Sequence, residues 1–424
     1  MKVLLWNQNW FASELKAEGH TVVTMGYSHH LDVVLESPMI HIDNAVAKIP
    51  GGWRPDLIIV HDNSAPLGLD GLDTIDIPTI FYSVDTHHHC ELHIELAKVF
   101  DATFVAQRDY MPAFEAAGLK THWLPLWLSQ EVTPVEPKQH GAVFVGTLNP
   151  KLNPDRVSFF EALQKEVPIL CTTGFWPDIF ARSEIVINQT VKGDLNFRVF
   201  EAMGSGALLL TEASPNGLFD LFREGEHLVT YSKGNVQEAA ARIRELLDDK
   251  ERIRRIAASG RAEIFERHLA KHRLAQVLGV AETLKKRPRG GMHLPMMVNF
   301  SGLGRRMMRV SPPLAAQAFS VALKHADDAL MKEECLAPPA ELFLVSAAIH
   351  LDQITRTDSG HRLLERYAER YPNFVVFRLA AIRRYLNTGR AGEARDLAQR
   401  HFPIAVEEVF KGAEGVIQQL LEDL

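Results

Sequence analysis

Short apolar strands alternate with helical stretches over residues 1–284, and this alternation limits the folds that are open to the chain. The first unit consists of KVLLW, a helical stretch that ends at Gly19, and the β-branched run TVVTM. A strand, a helix and another strand in this order form a βαβ unit, in which the strands lie parallel and helices cover the sheet. We therefore predict an α/β fold with parallel sheets.

A stretch without periodicity divides this alternation into two halves. Residues 129–140 are rich in Pro, Glu, Gln and Lys, which is typical of a linker. We predict one Rossmann-like domain over residues 1–135 and a second over residues 141–285. Because ligands of open parallel sheets bind at the carboxyl ends of the strands, we expect a substrate cleft between the two domains.

The remainder of the chain carries only helix signals. Residues 286–312 are basic and contain Gly, Pro and Met, and we predict that they form a linker. Residues 313–424 contain short amphipathic stretches, which predict an all-α C-terminal domain. Tyr385 and Ala394 are nine positions apart, as in a tetratricopeptide (TPR) unit. A plain helical bundle is an equally good interpretation.

Composition limits the kinds of binding partner and the cellular compartment that we expect for this protein. The net charge of −7 argues against a nucleic-acid-binding protein, which would present a basic face. The three cysteines are far apart, which excludes a disulfide framework and favours a reducing compartment. The N-terminus lacks the long apolar segment of a signal peptide, and no apolar run has transmembrane length. We expect a cytoplasmic protein without membrane insertion.

The sequence GDLNFRVFEAMGSGALLLT, residues 193–211, predicts a binding site for a phosphorylated ligand. A polar loop leads into a helix, and a strand follows the helix at once. The N–H groups and the dipole at a helix N-terminus favour anions. Arg198 can form paired hydrogen bonds with phosphate oxygens, and Glu201 can accept hydrogen bonds from ribose hydroxyls. A structural ion pair between these two residues is the alternative.

The segment from Ala142 to Leu278 resembles the sugar-nucleotide half of GT-B glycosyltransferases, and most closely the branch related to the spore-maturation CgeB proteins. The matching segments are AVFVGTLNP, DIFARSEIVINQT and FRVFEAMGSGALLLTEASPNGLFDLFREGEHLVTY. The resemblance implies transfer of a sugar from a nucleoside-diphosphate sugar that lies in the interdomain cleft. It implies a donor-binding role for Gly146, Thr147, Arg156, Asn188, Thr190, Asn196, Phe197, Arg198 and Glu201.

The chain departs from many retaining GT-B enzymes, which carry two Glu residues eight positions apart. The position eight before Glu201 is Gly193, and Asp194 is one place off. This departure favours an inverting mechanism, in which a base removes the proton of the acceptor hydroxyl. In GT-B enzymes a helix dipole and basic side chains stabilise the leaving diphosphate, so we predict neither a metal nor another cofactor.

The base is expected in a loop that follows a strand of the N-terminal domain. Asp85 is the first choice and His87 the second, because both follow the apolar run PTIFYS. The alternative role for Asp85 is to cap the next helix. His89 and His93 would share a helix face but lack the His-Glu-x-x-His order of zinc proteases, so ordinary histidines are the better interpretation. The residues expected on the acceptor side are Asn7, Asn9, Trp10 and Asp62.

The acceptor is the least constrained part of the prediction. We expect a protein acceptor such as flagellin, bound through the helical domain, which could instead hold a second subunit in a homo-oligomer. This expectation depends on the repeat-like tail and on the resemblance. A saccharide or a lipid-linked acceptor is the alternative. Two other functions on the same scaffold are a non-catalytic binding protein and an epimerase with hydrolytic carboxylates.

Overall fold

The N-terminal domain is built on parallel strands. The structure, a computed structural model, describes residues 1–284, 286 and 292–423. The strands are β1 (Lys2–Trp6), β2 (Thr21–Gly26), β3 (Val33–Val34), β4 (Ile40–His41), β5 (Leu57–His61), β6 (Leu69–Asp70), β7 (Thr79–Ser83), β8 (Ala102–Val105) and β9 (Thr121–Trp123). The helices are α1 (Ala12–Ala17), α2 (Ile42–Ala47), α3 (Thr86–Ala97) and α4 (Met111–Ala116). Seven strands form one sheet in the order β3-β2-β1-β5-β7-β8-β9, and β4 pairs with β6.

The centre of this sheet is apolar on both faces. Four of the five residues of β1 and all five residues of β5 and of β7 are buried, as expected for a parallel sheet covered by helices. The strands are in register, with Trp6 opposite Val60 and His61 opposite Tyr82. The loops that follow β1, β5 and β7 therefore open at the same edge of the sheet.

The second domain contains a five-stranded parallel sheet. Its strands are β10 (His140–Val145), β11 (Leu170–Thr172), β12 (Ser183–Asn188), β13 (Leu208–Glu212) and β14 (Val229–Tyr231), in the order β11-β10-β12-β13-β14. Its helices are α5 (Pro154–Glu166), α6 (Trp176–Ala181), α7 (Phe197–Gly204), α8 (Leu218–Leu221), α9 (Val236–Asp248), α10 (Lys250–Arg267) and α11 (Ala270–Ala281). The prediction of two Rossmann-like α/β domains is confirmed.

Helix α11 carries the chain back to the N-terminal domain, where it packs against α1. Arg273, in this helix, is almost fully buried. Its Nε donates to the backbone oxygen of Pro125 at 2.8 Å, and its Nη2 donates to that of Leu126 at 3.1 Å. Leu128 N also donates to His268 O at 2.9 Å. A buried charged side chain with several backbone acceptors therefore joins the two domains.

The rest of the described chain is helical, as predicted. The helices are α12 (His293–Met308), α13 (Pro312–Met331), α14 (Ala340–Thr355), α15 (Ser359–Arg370), α16 (Val375–Asn387), α17 (Ala391–His401) and α18 (Val406–Asp423). Helices α16 and α17 pack together and bury Ala394, but their assignment to a TPR unit stays a prediction. None of the described helices combines the length and the apolar character that crossing a membrane requires.

The predicted linker over residues 286–312 is wrong where α12 forms. Met296, Met297 and Phe300 of this helix are fully buried in the apolar core that also contains the N-terminal sheet. Gly304 is one of the glycines that led to the prediction of a linker. Here a Cβ on Gly304 would lie 2.5 Å from the ring of Phe319, so the glycine permits α12 and α13 to pack closely. Residues 287–291 of the predicted linker lie outside the described residues.

Helix α12 also holds the loop that follows β5. Asn299 Nδ2 donates to Leu67 O at 2.6 Å, and Leu67 N donates to Asn299 Oδ1 at 2.8 Å. Arg306 Nη1 donates to Ser64 O at 2.7 Å. The helical region is therefore built onto the N-terminal domain and fixes one of the loops at the edge of its sheet.

We expect Phe300→Ala to lower the free energy of unfolding by about 3–5 kcal/mol, because it leaves a cavity in a core shared by sheet and helices. Urea denaturation of the full chain measures this change. The control is Val310→Ala, since Val310 is 74% exposed and should change stability by less than ~0.5 kcal/mol. Equal effects for the two variants would contradict a shared core.

Candidate functional site

A cleft of about 310 Å³ lies between the carboxyl edges of the two sheets. Its N-terminal wall contains Trp10, Asp62, Asp85 and His87. Its opposite wall contains Asp194, Asn196 and Phe197. The structure thus brings both predicted base candidates, two predicted acceptor-side residues and two predicted donor-binding residues into one cavity, whose volume suits a small-molecule site.

Helix α7 presents its N-terminus to this cleft. The helix forms because Val199, Phe200 and Met203 recur at helical spacing and are buried in the core. Asn196 precedes it with an extended backbone (φ −91°, ψ 171°), and its side chain makes no capping hydrogen bond. The N–H groups of a first helical turn have no acceptor within their own helix. Asn196 Oδ1 is buried without a hydrogen-bond partner, so the helix start offers both donors and an acceptor.

Arg198 lies in the first turn of α7 and is held by the ends of two strands. Its Nη2 donates to Val145 O and its Nη1 to Asn188 Oδ1, both at 2.8 Å. The guanidinium carbon lies 4.7 Å from the centre of the Phe144 ring. A Cβ on Gly146 would lie 2.6 Å from Arg198 Nη2, which explains the glycine at this position. Burial lowers the pKa of Arg198 to about 10, so the side chain remains positively charged at neutral pH.

Three predicted donor-binding side chains bond within the protein. Asn188 is fully buried and supports Arg198. Thr190 Oγ1 donates to Glu212 Oε2 at 2.6 Å. Arg156 Nε and Nη2 donate to the side-chain and backbone oxygens of Gln189, both at 3.0 Å. These groups shape the strand ends beneath α7, and their direct contact with a donor stays a prediction. Thr147 is exposed in the loop after β10.

Glu201 lies one turn after Arg198 in α7. Its Oε1 accepts a hydrogen bond from Ser129 Oγ, in the segment that connects the two domains. Burial raises the pKa of Glu201, while the Ser129 hydrogen bond and the charge of Arg198 act in the opposite direction. Within the described chain, Glu201 and Arg198 do not form the ion pair that was the alternative to a binding role.

Asp62 organises the opposite wall of the cleft. Its Oδ2 accepts hydrogen bonds from Asp85 N at 2.7 Å and from Val84 N at 3.2 Å. Its Oδ1 accepts one from Ser64 N at 2.7 Å and lies 3.6 Å from His93 Nε2. These N–H donors satisfy both oxygens of the buried carboxylate. Asp62 therefore ties together the loops after β5 and β7, and its predicted acceptor contact stays a prediction.

Asp85 has a different environment, although it adjoins Asp62. It directly precedes α3, but its side chain makes no capping hydrogen bond to that helix. The structure therefore does not contain the helix cap that was the alternative role for this residue. Asp85 is half-buried and lines the cleft. Its carboxylate is placed where it can accept a proton from a group bound there.

His87 is the second base candidate and lies in the first turn of α3. Burial lowers its pKa to about 3, and the neighbouring His88 and Lys192 act in the same direction. Its ring is therefore neutral at physiological pH, and its Nδ1 is buried without a partner. Lys192 Nζ, from the second domain, donates to the backbone oxygen of His87 at 3.2 Å. A group with so low a pKa is a weak base at neutral pH, so His87 stays the second candidate for proton removal.

Trp10 closes the floor of the cleft as part of an aromatic cluster. Its ring centre lies 5.3 Å from that of His61, 5.5 Å from Trp127 and 5.8 Å from Phe197, all in edge-on geometry. Phe197 belongs to the second domain, and its ring centre is also 5.4 Å from that of Trp127. The cluster thus connects the two walls through contacts between aromatic rings.

The other two predicted acceptor-side residues do not line the cleft. Asn7 is buried with a positive φ of 72°, and its Nδ2 donates to His61 O at 3.0 Å. Asn9 is exposed, and its backbone oxygen accepts from Ala12 N at the start of α1. Gln8, between them, does line the cavity.

Sequence reasoning missed Gln107, which bridges the two walls. It lies two residues after the end of β8, and its Oε1 accepts hydrogen bonds from Leu195 N at 2.9 Å and from Asn216 Nδ2. Its Nε2 donates to Val84 O at 3.4 Å. The signal was present, because Gln107 is a polar residue after an apolar strand, like Asp62. The prediction drew its residues of this domain from the loops after β1, β5 and β7 and did not extend to the loop after β8.

Asp194 also lines the cleft, and the sequence prediction gave it no role there. Its Oδ1 accepts from Val191 N at 2.6 Å within a tight turn. Burial raises its pKa, whereas the charges of Arg156 and Arg198 lower it. The turn places an acid in the cleft although the sequence position is one away from the retaining pattern.

Residues 156–279 match the model of a family described as glycosyl transferase-like. The structure of Anabaena HepE in complex with UDP-glucose is similar at a TM-score of 0.51 and 13% identity, over 67% of this chain and 100% of that one. A glycosyltransferase from Rickettsia africae is similar at a TM-score of 0.49 and 10% identity, over 68% and 99% of the two chains. No curated protein matches the sequence.

The structural similarity and the family match support different parts of the prediction. The similarity to HepE covers 67% of this chain and shows the fold, which confirms the predicted GT-B arrangement of two Rossmann-like domains. The helices that follow are those of the structure itself. The family match runs from α5 to α11 and contains Arg156, Arg198 and Glu201. The family match confirms the prediction of a glycosyltransferase. The assignment to the CgeB-like branch stays a prediction.

The burial of His61 leads us to predict that the protein loses stability in acid. Burial lowers the pKa of His61 from 6.5 to about 3, so the folded state favours the neutral ring. His61 therefore contributes its full stability above pH ~6.5 and loses it as the pH falls towards 3. We expect His61→Phe to reduce the slope of unfolding free energy against pH by about 1.4 kcal/mol per pH unit in this range.

Chemical denaturation at several pH values between 4 and 7 measures this slope. Phe is a suitable replacement because His61 packs among the rings of Trp10, Phe11 and Tyr82. The control is His30→Phe at an exposed position, which should leave the slope unchanged. An unchanged slope in His61→Phe would show that His61 is not held neutral in the folded state.

Proposed function

We propose that this glycosyl transferase-like chain moves a sugar from a nucleoside-diphosphate sugar to an acceptor hydroxyl, by an inverting mechanism without a metal. One observation carries the proposal. The N-terminus of α7, with Arg198 in its first turn, faces the loop of Asp85 and His87 across one cleft. Positive charge for a leaving diphosphate and a carboxylate for a nucleophile are therefore on opposite walls.

The donor is proposed to bind on the α7 side. The first-turn N–H groups and the helix dipole favour the diphosphate, and the half-buried Arg198, which its hydrogen bonds hold in place, adds a positive charge. The unpartnered Oδ1 of Asn196 can accept a hydrogen bond from a sugar hydroxyl. Glu201, further along the helix, suits the ribose hydroxyls. HepE was captured with UDP-glucose, which makes uridine nucleotides the first donors to test.

The reaction follows from this placement. The acceptor oxygen attacks the anomeric carbon, and its proton passes to the carboxylate of Asp85. The bond from the anomeric carbon to the diphosphate oxygen breaks, and the nucleoside diphosphate leaves with the electron pair. Its developing negative charge is stabilised by dipoles that are already oriented, which is the most effective form of electrostatic catalysis. The dipole of α7 and the Arg198 guanidinium supply this stabilisation without a metal ion.

A retaining mechanism is the alternative, and Asp194 is the residue that it would use. Its carboxylate lies in the same cleft, on the donor wall, and an acid on that wall is what a retaining mechanism would use. The anomeric configuration of the product separates the two mechanisms. Inversion supports the role of Asp85, and retention would transfer the catalytic role to the donor wall.

The acceptor is proposed to be a protein such as flagellin, as in the CgeB-like branch that the sequence resembles. Helices of the C-terminal region pack on the acceptor-side domain, and Arg306 of α12 donates to the loop at Ser64, which lines the cleft. A long acceptor could therefore contact the helices and the cleft together. Incubation of the chain with labelled sugar nucleotides and either flagellin, an oligosaccharide or a lipid-linked sugar distinguishes the acceptor classes. Labelling of the saccharide alone would overturn a protein acceptor.

We expect Glu201→Ala to weaken binding of the nucleoside diphosphate by roughly 1–3 kcal/mol, because a hydrogen bond to a charged acceptor is lost. Calorimetry with UDP, GDP, TDP and CDP measures the affinity and also identifies the nucleobase of the preferred donor. The control is Glu266→Ala, an exposed acid on α10. Unchanged affinity in Glu201→Ala would exclude the ribose contact.

Asp85→Asn should leave the affinity for the donor intact and slow transfer by ~10²-fold or more, because the amide cannot take up the proton. Sugar transfer is measured at saturating donor concentration. Asp109→Asn, an exposed acid after the next strand, should retain full activity. A fully active Asp85→Asn enzyme would leave His87 as the remaining candidate on this wall.

A further inference from the structure

A second group of polar side chains lies outside the cleft, where helices α12 and α13 meet the N-terminal domain. It consists of Asp73, from the loop after β6, His293 at the start of α12 and His325 in α13. All three are buried, with exposed fractions of 5–7%. Their nearest nitrogen and oxygen atoms all lie within 4.8 Å of one another.

The distances in this group suit one shared ion. His293 Nδ1 lies 3.2 Å from His325 Nδ1 and 3.4 Å from Asp73 Oδ2. In a tetrahedral zinc site with bonds of about 2.0–2.1 Å, two ligand atoms are separated by roughly 3.3–3.4 Å. The other carboxylate oxygen, Asp73 Oδ1, is buried and has no hydrogen-bond partner. A buried acceptor of this kind is costly unless something positive satisfies it.

A carboxylate behind His325 completes the arrangement that zinc-binding histidines usually have. His325 Nε2 donates to Asp70 Oδ1 at 2.8 Å. The proton is thus held on Nε2, and the Nδ1 lone pair points towards His293 and Asp73. Asp70 is itself held by Gly71 N, which donates to the same oxygen at 2.7 Å.

We propose that Asp73, His293 and His325 bind a Zn²⁺ ion, with a water molecule in the fourth position. The ion joins the helical region to the N-terminal domain and has no part in the chemistry of the cleft. This site is independent of the proposed transferase function. Two nitrogen ligands and one carboxylate form a donor set that suits Zn²⁺ better than Mg²⁺ or Ca²⁺, which prefer oxygen ligands.

Lys332 determines which ring nitrogen of His293 carries the proton. Its Nζ lies 2.7 Å from His293 Nε2. Because an ammonium group only donates, this contact keeps the His293 proton on Nδ1, where the zinc would bind. Binding therefore requires the proton to move from Nδ1 to Nε2 and Lys332 to swing away. Lys332 is exposed and borders a groove of about 700 Å³, which provides the space for this movement.

The test measures Zn²⁺ binding to the full chain without an affinity tag, after treatment with EDTA and dialysis. Calorimetry should give one Zn²⁺ per chain, and Zn²⁺ should raise the melting temperature. We expect Asp73→Asn and His325→Gln each to weaken binding at least ~10-fold. The control is His122→Gln, at a half-buried position in β9, which should bind as the wild type does.

Lys332→Gln keeps the test decisive if a buried variant fails to fold. The Gln side-chain oxygen can accept a hydrogen bond from the Nε2–H of a zinc-bound His293, so this surface variant should bind Zn²⁺ several-fold more tightly. Weaker binding in Lys332→Gln would contradict the proposed ligand set. Absence of stoichiometric binding to the wild type, or equal binding by wild type, Asp73→Asn and His325→Gln, would overturn the proposal.

Discussion

The loops that follow the strands of a parallel sheet gather at one edge, and the function of this molecule depends on two such edges facing each other. Gln107 fixes this relation, because its amide group bonds to Val84 on one wall and to Leu195 and Asn216 on the other. The aromatic cluster around Trp10 seals the same junction. A cleft held from both sides keeps a donor and an acceptor aligned, which lowers the entropic cost of their reaction.

The polar residues of the cleft divide into those that hold the structure and those that remain available. Asp62 and Asn188 are buried and engaged by several partners, so they define the positions of their neighbours. Asp85 has no capping bond, and Asn196 Oδ1 has no partner. Because a buried polar atom without a partner destabilises the fold, the available groups indicate where a ligand completes the structure.

Periodicity predicted both α/β domains because the spacing of apolar residues directly reflects which side chains are buried. It could not predict the burial of α12, because the Gly, Pro and Met content of this segment is typical of a loop. Gly304 has its role only in the folded chain, where it lies against the ring of Phe319 in α13. Similarly, the sequence places Asp62 and Asp85 alike after strands, and only the backbone N–H groups around Asp62 distinguish the two. Asp73 and His293 are too far apart in the chain for any local spacing to connect them.

The central claim is that the N-terminus of α7 holds the diphosphate of a sugar-nucleotide donor. A crystal structure of the chain soaked with UDP at saturating concentration tests it most directly. The account predicts density for the diphosphate within hydrogen-bond distance of the first-turn N–H groups of α7, with the terminal phosphate directed towards Asp85. A nucleotide bound elsewhere, or a diphosphate that points away from this helix, would contradict it.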